Sequence, residues 1–524
     1  MKNKKILVFD TTLRDGSQGA GISFTVEDKI KIAKALDAFG VSYIEGGYAG
    51  SNPKEKEFFS KMKKVGLKNA KLTAFGSTRK KGIKASVDNN LKAIVDSGAK
   101  AACIFGKTWD LHVQYALQTT NEENLKMIYD SVAFLKSKKL EVIFDAEHFF
   151  DGYKNNGAYA LSAVKAAVDA GADIICLCDT NGGMLPSEIE KAVKEVIAVF
   201  PEVKFGIHAH NDSGCAVANS IVAVENGCVM VQGTVNGIGE RCGNANLCSI
   251  IPALQIKQGY ACVPQKSLRK LTELSRFVDE TANLVPNDAK PYVGKNAFAH
   301  KAGIHVSAMK KNSKTYEHID PTLVGNERRI IISDQSGISN IVSKAGEFAL
   351  GIKDAQNAKK IIEVLKEKEN AGYQYENADG SFFLLTKKAT DSFKPFFNLD
   401  GYRVSVEKDS CGNIVSEATV KLEINGKHEH TVAEGDGPVN ALDNCLRKAL
   451  VKYYPQIKEM GLTDFKVRVV NSNASTAAKV RVVIESSDSS KTWGSVGVNE
   501  NIIDASWQAL SDSVEYKLLK SKKS

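Results

Sequence analysis

"ILVFDTTLRDGSQ" (Ile6–Gln18) is the stretch on which the reading of this chain turns. Ile6 to Phe9 form a short apolar run of the kind that makes a buried strand. Five residues later Arg14 and Asp15 stand side by side, with Gly16 behind them. A strand tip is a poor place for two charges if the chain has only to fold.

The pattern of apolar strand and polar tip returns seven more times, in "SYIEGG", "KLTAFG", "AACIFG", "LEVIFDAE", "ADIICLCD", "KFGIHAH" and "CVMVQGTV". Amphipathic helices fill the gaps, among them "VEDKIKIAKALDAFG", "NLKMIYDSVAFLKSKK" and "YALSAVKAAVDAGA". Eight strand–helix units ending near Tyr260 predict a parallel sheet closed into a (β/α)8 barrel, the TIM-barrel class of α/β fold. A doubly wound open sheet is the alternative, but no strand is followed by a dinucleotide fingerprint.

After Pro264 the character changes. "SLRKLTELSRFVDETANL" is helical, "NAFAHKAGIHVSAMKKN" reads as a loop bearing Gly and His, and small helices follow from Tyr316 to about Asn370. Beyond "ENADGSFFLLTKKATDSF" the chain is strand-rich and repeats itself: each half gives strands and then a helix, with "PVNALDNCLRKAL" matching "IIDASWQALSDSV". The expected division is a barrel over 1–265, helical linker subdomains over 266–385, and a duplicated α+β domain over 386–524.

With 524 residues, 43% hydrophobic and 25% charged, the chain has the composition of a globular protein of two or three domains. The net charge of +9 is spread along helices where Lys and Glu alternate. Only "MKNKK" and "KLLKSKKS" are locally basic, as solvated termini are, which argues against nucleic-acid binding. No signal peptide or membrane span is evident. The ten cysteines fall mostly in predicted strands and helices without a CxxC pair, as expected of reduced thiols in a cytoplasmic protein. Cys176 and Cys178 share a strand face, where packing is favoured over metal binding.

In such a barrel the chemistry sits at the C-terminal ends of the strands. Those tips offer Arg14 and Asp15 from the first strand, Glu147 from the fifth, Asp179 and Thr180 from the sixth, and His208 and His210 from the seventh. The eighth leads into "NGIGERCGN" (Asn236–Asn244). Two histidines two apart on a strand point to one side, the barrel interior if Ile207 and Ala209 face the helices. With Asp15 they form a facial set for a divalent cation, leaving positions open for substrate. Two hydrogen-bonded core histidines are the bland alternative, which suits a lone His better than a His-x-His at a strand tip. Arg14 is a fixed cation suited to an oxyanion or enolate; alternatively it is held by Asp15 or Glu147. Glu147 is a candidate for proton transfer if desolvated, or for orienting a ligand. Gly237-x-Gly239-x-x-x-Gly243 misses the dinucleotide pattern but leaves backbone N–H groups for the phosphates of another ligand.

"LRDGSQ", then ten residues and Lys29, together with "FGIHAHNDSGCAVA", resembles both signatures of the α-isopropylmalate, homocitrate and citramalate synthase family. The resemblance runs over nearly the whole chain and implies a metal-dependent barrel that condenses acetyl-CoA with a 2-oxo acid. It implies that Asp15, His208, His210 and Asn244 hold a divalent metal; the ligand types suit zinc, manganese, magnesium and cobalt alike. Arg14 would contact the oxo-acid carbonyl and Thr180 its carboxylate, with Gln18 of the signature beside them. The resemblance also implies a catalytic histidine in "HKAGIH", His305 in preference to His300, assisted by Tyr316. In this family these residues reach the partner's barrel, which implies a homodimer. "YIEGGYAGSNPKEKEFF" resembles the members that use pyruvate, and "QGAGISF" replaces the Gln-x-Pro-Gly of other members. A larger 2-oxo acid is the alternative, and a lyase running the reverse chemistry comes third. On its residues the C-terminal repeat is either a binding pocket or a dimerisation domain with no ligand; it resembles the family's regulatory domain, which binds the end product. For pyruvate users that is isoleucine, expected at a pseudo-twofold pocket near "AEGDGPVNA" and "SNASTAAKV".

Overall fold

The computed structural model describes residues 4–333, 336–348, 350, 355–470 and 477–521. They divide into two compact units, residues 1–298 with 319–327 and residues 299–318 with 328–524.

In the first unit β1 (Leu7–Asp10), β2 (Tyr43–Tyr48), β3 (Lys71–Ser77), β4 (Ala101–Lys107), β5 (Glu141–Glu147), β6 (Ile174–Asp179), β7 (Phe205–Ala209) and β8 (Met230–Gly233) pair in chain order. β8 closes onto β1 in parallel, Leu7 opposite Met230 and Asp10 opposite Gly233, so the sheet is a closed barrel. Alternation along each strand sorts the side chains into two cores. Val8, Ile44, Phe144, Ile207, Ala209 and Val231 pack outward against the helices. Phe9, Tyr43, Cys103, Ile143, Cys176 and Met230 fill the interior. Ile207 and Ala209 therefore do face the helices, and His208 turns inward between them.

The Lys29 side chain of the Val26–Phe39 helix is 1% exposed. Its ammonium donates to Glu55 at 2.6 Å and to the Gly46 carbonyl at 3.0 Å, tying that helix to the tip of β2 and to the Pro53–Val65 helix.

In the second unit β9 (Ala299–His300) pairs with β10 (Arg329–Ile330). The stretch expected as a loop contains a helix, Gly303–Lys311. Val306 and Met309, three apart, are its buried contacts, and that spacing is a helical face the glycine had obscured. The duplication is plain: β11 (Asn398–Lys408), β12 (Ile414–Ile424) and β13 (Lys427–Gly435) precede the Pro438–Leu450 helix. In the same way β14 (Gly461–Val469), β15 (Val480–Ser487) and β16 (Thr492–Asn499) precede the Ile502–Ser521 helix. Each helix packs on its own antiparallel sheet, and the two helices touch. The two turns matched from sequence are not equivalent. "AEGDGPVNA" joins β13 to its helix, whereas "SNASTAAKV" falls between β14 and β15, with residues 471–476 outside the described ones. The counterpart of the first is Val498–Ala505. All ten cysteines are free thiols, and no helix among the described residues is long and apolar enough to cross a membrane.

Lys29→Met leaves Glu55 as a buried, unpaired carboxylate. It should lower the stability of the barrel unit by about 3 kcal/mol in urea unfolding, and Glu55→Gln added to it should recover at least half of the loss. A loss below about 1 kcal/mol for Lys29→Met would show that the pair carries no such burden.

Candidate active site

The turn after β1 is set by backbone bonds from Arg14 and Gly16 to the Thr11 carbonyl, at 3.1 and 3.0 Å. Gly16 passes so close to the loop after β8 that a Cβ there would lie 3.0 Å from Ile238. This approach brings Asp15 over the barrel mouth. Its Oδ2 lies 3.4 Å from His208 Nε2 and 3.7 Å from His210 Nε2, and the two imidazole nitrogens are 3.2 Å apart. A cation with ligand bonds of about 2.0–2.2 Å separates its donors by just such distances.

The electrostatics suit the same use. Burial works against ionising Asp15, but Arg14 and the two imidazoles outweigh it and hold the carboxyl well below its usual range. Burial and the neighbouring His208 lower His210 to about 4, which leaves it a neutral lone-pair donor. For His208 burial opposes a charge, yet Asp15 and Asp145 raise its pKa. Asn244 bridges to His210 through the backbone. Its Nδ2 donates to the Ile238 carbonyl at 3.2 Å, while its Oδ1 is buried without a hydrogen-bond partner, a free carbonyl donor beside the triad. These residues fit a divalent cation.

The Gly-rich loop packs closely against its own backbone and Asn244. The Gly237 N–H donates to the Thr234 carbonyl at 3.2 Å and is not free for a phosphate. A Cβ on Gly239 would fall 2.2 Å from Asn244 Nδ2, so that glycine makes room for the carboxamide.

Arg14 is held by Glu45, not by Glu147: Nε donates to Glu45 Oε2 at 2.6 Å, Nη1 lies 3.3 Å from Asp15, and the guanidinium sits 3.8 Å over the Phe75 ring. Thr11 Oγ1 donates to the same Glu45 oxygen and accepts from the Asp15 N–H. Glu147 pairs with Lys107, and its side chain is 22% exposed. Thr180 Oγ1 accepts from the His148 N–H at 2.9 Å, which leaves its own hydrogen to donate. Asp179 accepts from the Met184 N–H and shapes the turn after β6; burial raises it to about 6. Gln18 is exposed at the end of the Gly16–Gln18 turn.

His300, His305 and Tyr316 belong to the second unit. His300 Nε2 lies 3.2 Å from Glu317, which Arg328 also grips, so its ring is committed to an ion-pair cluster. His305 is exposed on the first turn of its helix and stacks on Tyr316 with ring centroids 4.1 Å apart. That leaves His305, rather than His300, available to a substrate.

Three polar residues inside the barrel escaped the sequence reading. Glu45, Asp145 and Gln232 are buried on interior-facing positions of β2, β5 and β8. The available signal was a polar residue inside an apolar run, as in "SYIEGG" and "VMVQG". Burial raises Asp145 to about 6, with Glu45 adding to the effect. Asp145 also lies near Cys176 and Cys178, close enough for those three to share an ion. Burial lifts both thiols, Cys178 to about 11, which keeps them protonated and poor ligands.

Asp15→Asn, His208→Ala and His210→Ala should each lose the bound divalent cation after exhaustive dialysis, measured by plasma emission of the folded protein. Asn244→Ala should weaken binding about tenfold and leave the triad in place. Full metal retention in all three triad variants would place the cation elsewhere.

Comparison with known proteins agrees with this geometry. A family model described as HMGL-like matches residues 5–278, one described as homocitrate synthase post-HMGL domain-like matches 292–372, and the LeuA allosteric (dimerisation) domain matches 376–518. The chain is 54% identical to the (R)-citramalate synthase of Aquifex aeolicus, over 99% of this chain and 98% of that one. It is 55% identical to the (R)-citramalate synthase of Geobacter sulfurreducens, over 98% of each. A 2-isopropylmalate synthase of Sulfolobus acidocaldarius is 37% identical over 74% of this chain and 98% of its own length. With an HMGL-like barrel followed in the sequence by a LeuA-type domain, and with full-length relatives at 54–55% identity, the chain belongs to the (R)-citramalate synthase family.

Proposed function

We propose that the chain condenses acetyl-CoA with pyruvate and hydrolyses the resulting thioester to give (R)-citramalate and CoA. The observation that carries this is full-length similarity, at 54–55% identity, to proteins named (R)-citramalate synthase. The donor triad at the barrel mouth supports it. On this reading residues 1–265 form the catalytic barrel, 266–385 link and carry a catalytic loop with His305, and 386–524 regulate and dimerise.

A divalent cation held by Asp15, His208, His210 and Asn244 would supply Lewis acidity to the ketone of pyruvate. The chain's own groups do the rest. Arg14, locked by Glu45 and seated over Phe75, presents N–H donors to the oxygen that gains charge as the ketone becomes an alkoxide. The Thr180 hydroxyl donates to the pyruvate carboxylate. A base takes a proton from the acetyl methyl group, and the enolate carbon bonds to the keto carbon. The base is either Glu147, held by Lys107 within the barrel, or a water linked to His305, which stacks on Tyr316 and would reach in from a partner subunit. Water then adds to the thioester carbonyl and CoA leaves as the thiol. The LeuA-type domain supports a homodimer and control by the end product, isoleucine.

CoA release measured across a panel of 2-oxo acids tests the assignment. Pyruvate should give the highest kcat/KM, and exhaustive chelation should abolish turnover. A higher value for 2-oxoisovalerate would move the chain to the isopropylmalate reading. In the same assay His305→Ala should lower kcat about a hundredfold with metal content unchanged, and isoleucine should inhibit the full-length enzyme. Indifference to isoleucine at millimolar concentration would leave the repeat a dimerisation role only.

A further inference from the structure

The cation site rests on a layer of polar groups below it, inside the barrel, that the reaction does not use directly. His208 Nδ1, the nitrogen facing away from Asp15, lies 2.9 Å from Gln232 Oε1. Gln232 Nε2 donates at 2.8 Å to Asp145 Oδ1. Gln232 is 0% exposed and Asp145 4%, so water cannot substitute for either bond.

We propose that Gln232 and Asp145 are positioning residues: Asp145 fixes the orientation of the Gln232 amide, and the amide keeps the ring hydrogen of His208 on Nδ1, leaving the Nε2 lone pair for the cation. A carboxylate can only accept, so it selects the NH2 end of the amide. The carbonyl end is thereby turned to His208, and it too can only accept. Nδ1 must then carry the ring hydrogen, and the Nε2 lone pair points to Asp15 and His210. With the amide rotated by half a turn, an N–H would face Nδ1, the hydrogen would move to Nε2, and the site would lose a ligand. The strands fix the relay in place: His208 stands opposite Gln232 in the β7–β8 register, and Asp145 reaches Gln232 across the barrel interior from β5. Outer hydrogen bonds of this kind govern ring orientation and ligand basicity, and their loss typically weakens metal binding about 10–100-fold.

The inference rests on the cation site proposed above, and titration of the metal-stripped full-length chain with Mn2+, followed by the free-ion EPR signal, separates the two. Gln232→Met, of matching volume, should weaken Mn2+ binding about 10–100-fold. Gln232→Glu keeps an acceptor toward Nδ1 while sharing a proton with Asp145, and should bind Mn2+ more tightly than Gln232→Met. Asp145→Leu, which leaves Gln232 in place but frees its amide to rotate, should also weaken binding and serves as the second loss variant if Gln232→Met does not fold, as judged by its melting curve. At saturating Mn2+ the kcat of a folded loss variant should return towards wild type, because neither residue touches substrate. Unaltered Mn2+ affinity in a folded Gln232→Met or Asp145→Leu chain overturns the proposal. A wild-type chain that takes no Mn2+ through His208 overturns the site reading beneath it.

Discussion

The approach of Asp15 to the imidazoles of His208 and His210 is the contact on which the rest of the active region depends. It spans the seam where β8 closes onto β1, with β7 beside it, so it exists only if the barrel closes in register. Three donor atoms facing one another at 3.2–3.7 Å, all buried, repel or strand their lone pairs unless a cation or a shared proton sits among them. The protein retains this arrangement at the C-terminal ends of the strands. Folding alone would have favoured apolar side chains there.

Around that contact the polar groups form two tiers. At the mouth, Arg14 is over-determined: Glu45 takes Nε, Asp15 lies beside Nη1, and Phe75 supports the plane from below. A guanidinium so fixed need not reorganise when charge develops on a substrate oxygen, which is where electrostatic catalysis gains most. Beneath, Asp145 and Gln232 reach His208 from the interior, while Cys103, Cys176 and Cys178 fill the space as protonated thiols. The barrel thus presents hard oxygen and nitrogen donors upward and keeps its soft sulfur donors below.

The eight strands were legible because strands buried on both faces are nearly continuous apolar runs, and the tip residues because each charge stood where a run ended. Glu45, Asp145 and Gln232 were not. Whether a strand residue faces the helices or the barrel interior depends on parity, and parity is fixed only once neighbouring strands are in register. Arg14 does pair with Asp15, one of the partners expected, but its second partner, Glu45, depends on that register, as does Lys107, which lies across from Glu147 between β4 and β5. The Gly303–Lys311 helix opens on a glycine and buries only Val306 and Met309, too short an apolar stripe to stand out as a period. In the C-terminal repeat, helix-to-helix matching succeeded, but pairing the turns by composition joined a strand–helix link to a hairpin.

The central claim is that the cation sits at the closing seam, on Asp15, His208 and His210. Anomalous diffraction from crystals of the full-length protein soaked in Mn2+ and pyruvate, collected near the manganese edge, tests it most directly. The account predicts one strong peak per chain within about 2.3 Å of Asp15 Oδ2, His208 Nε2 and His210 Nε2. A peak between Asp145, Cys176 and Cys178, with none at the mouth, would contradict it.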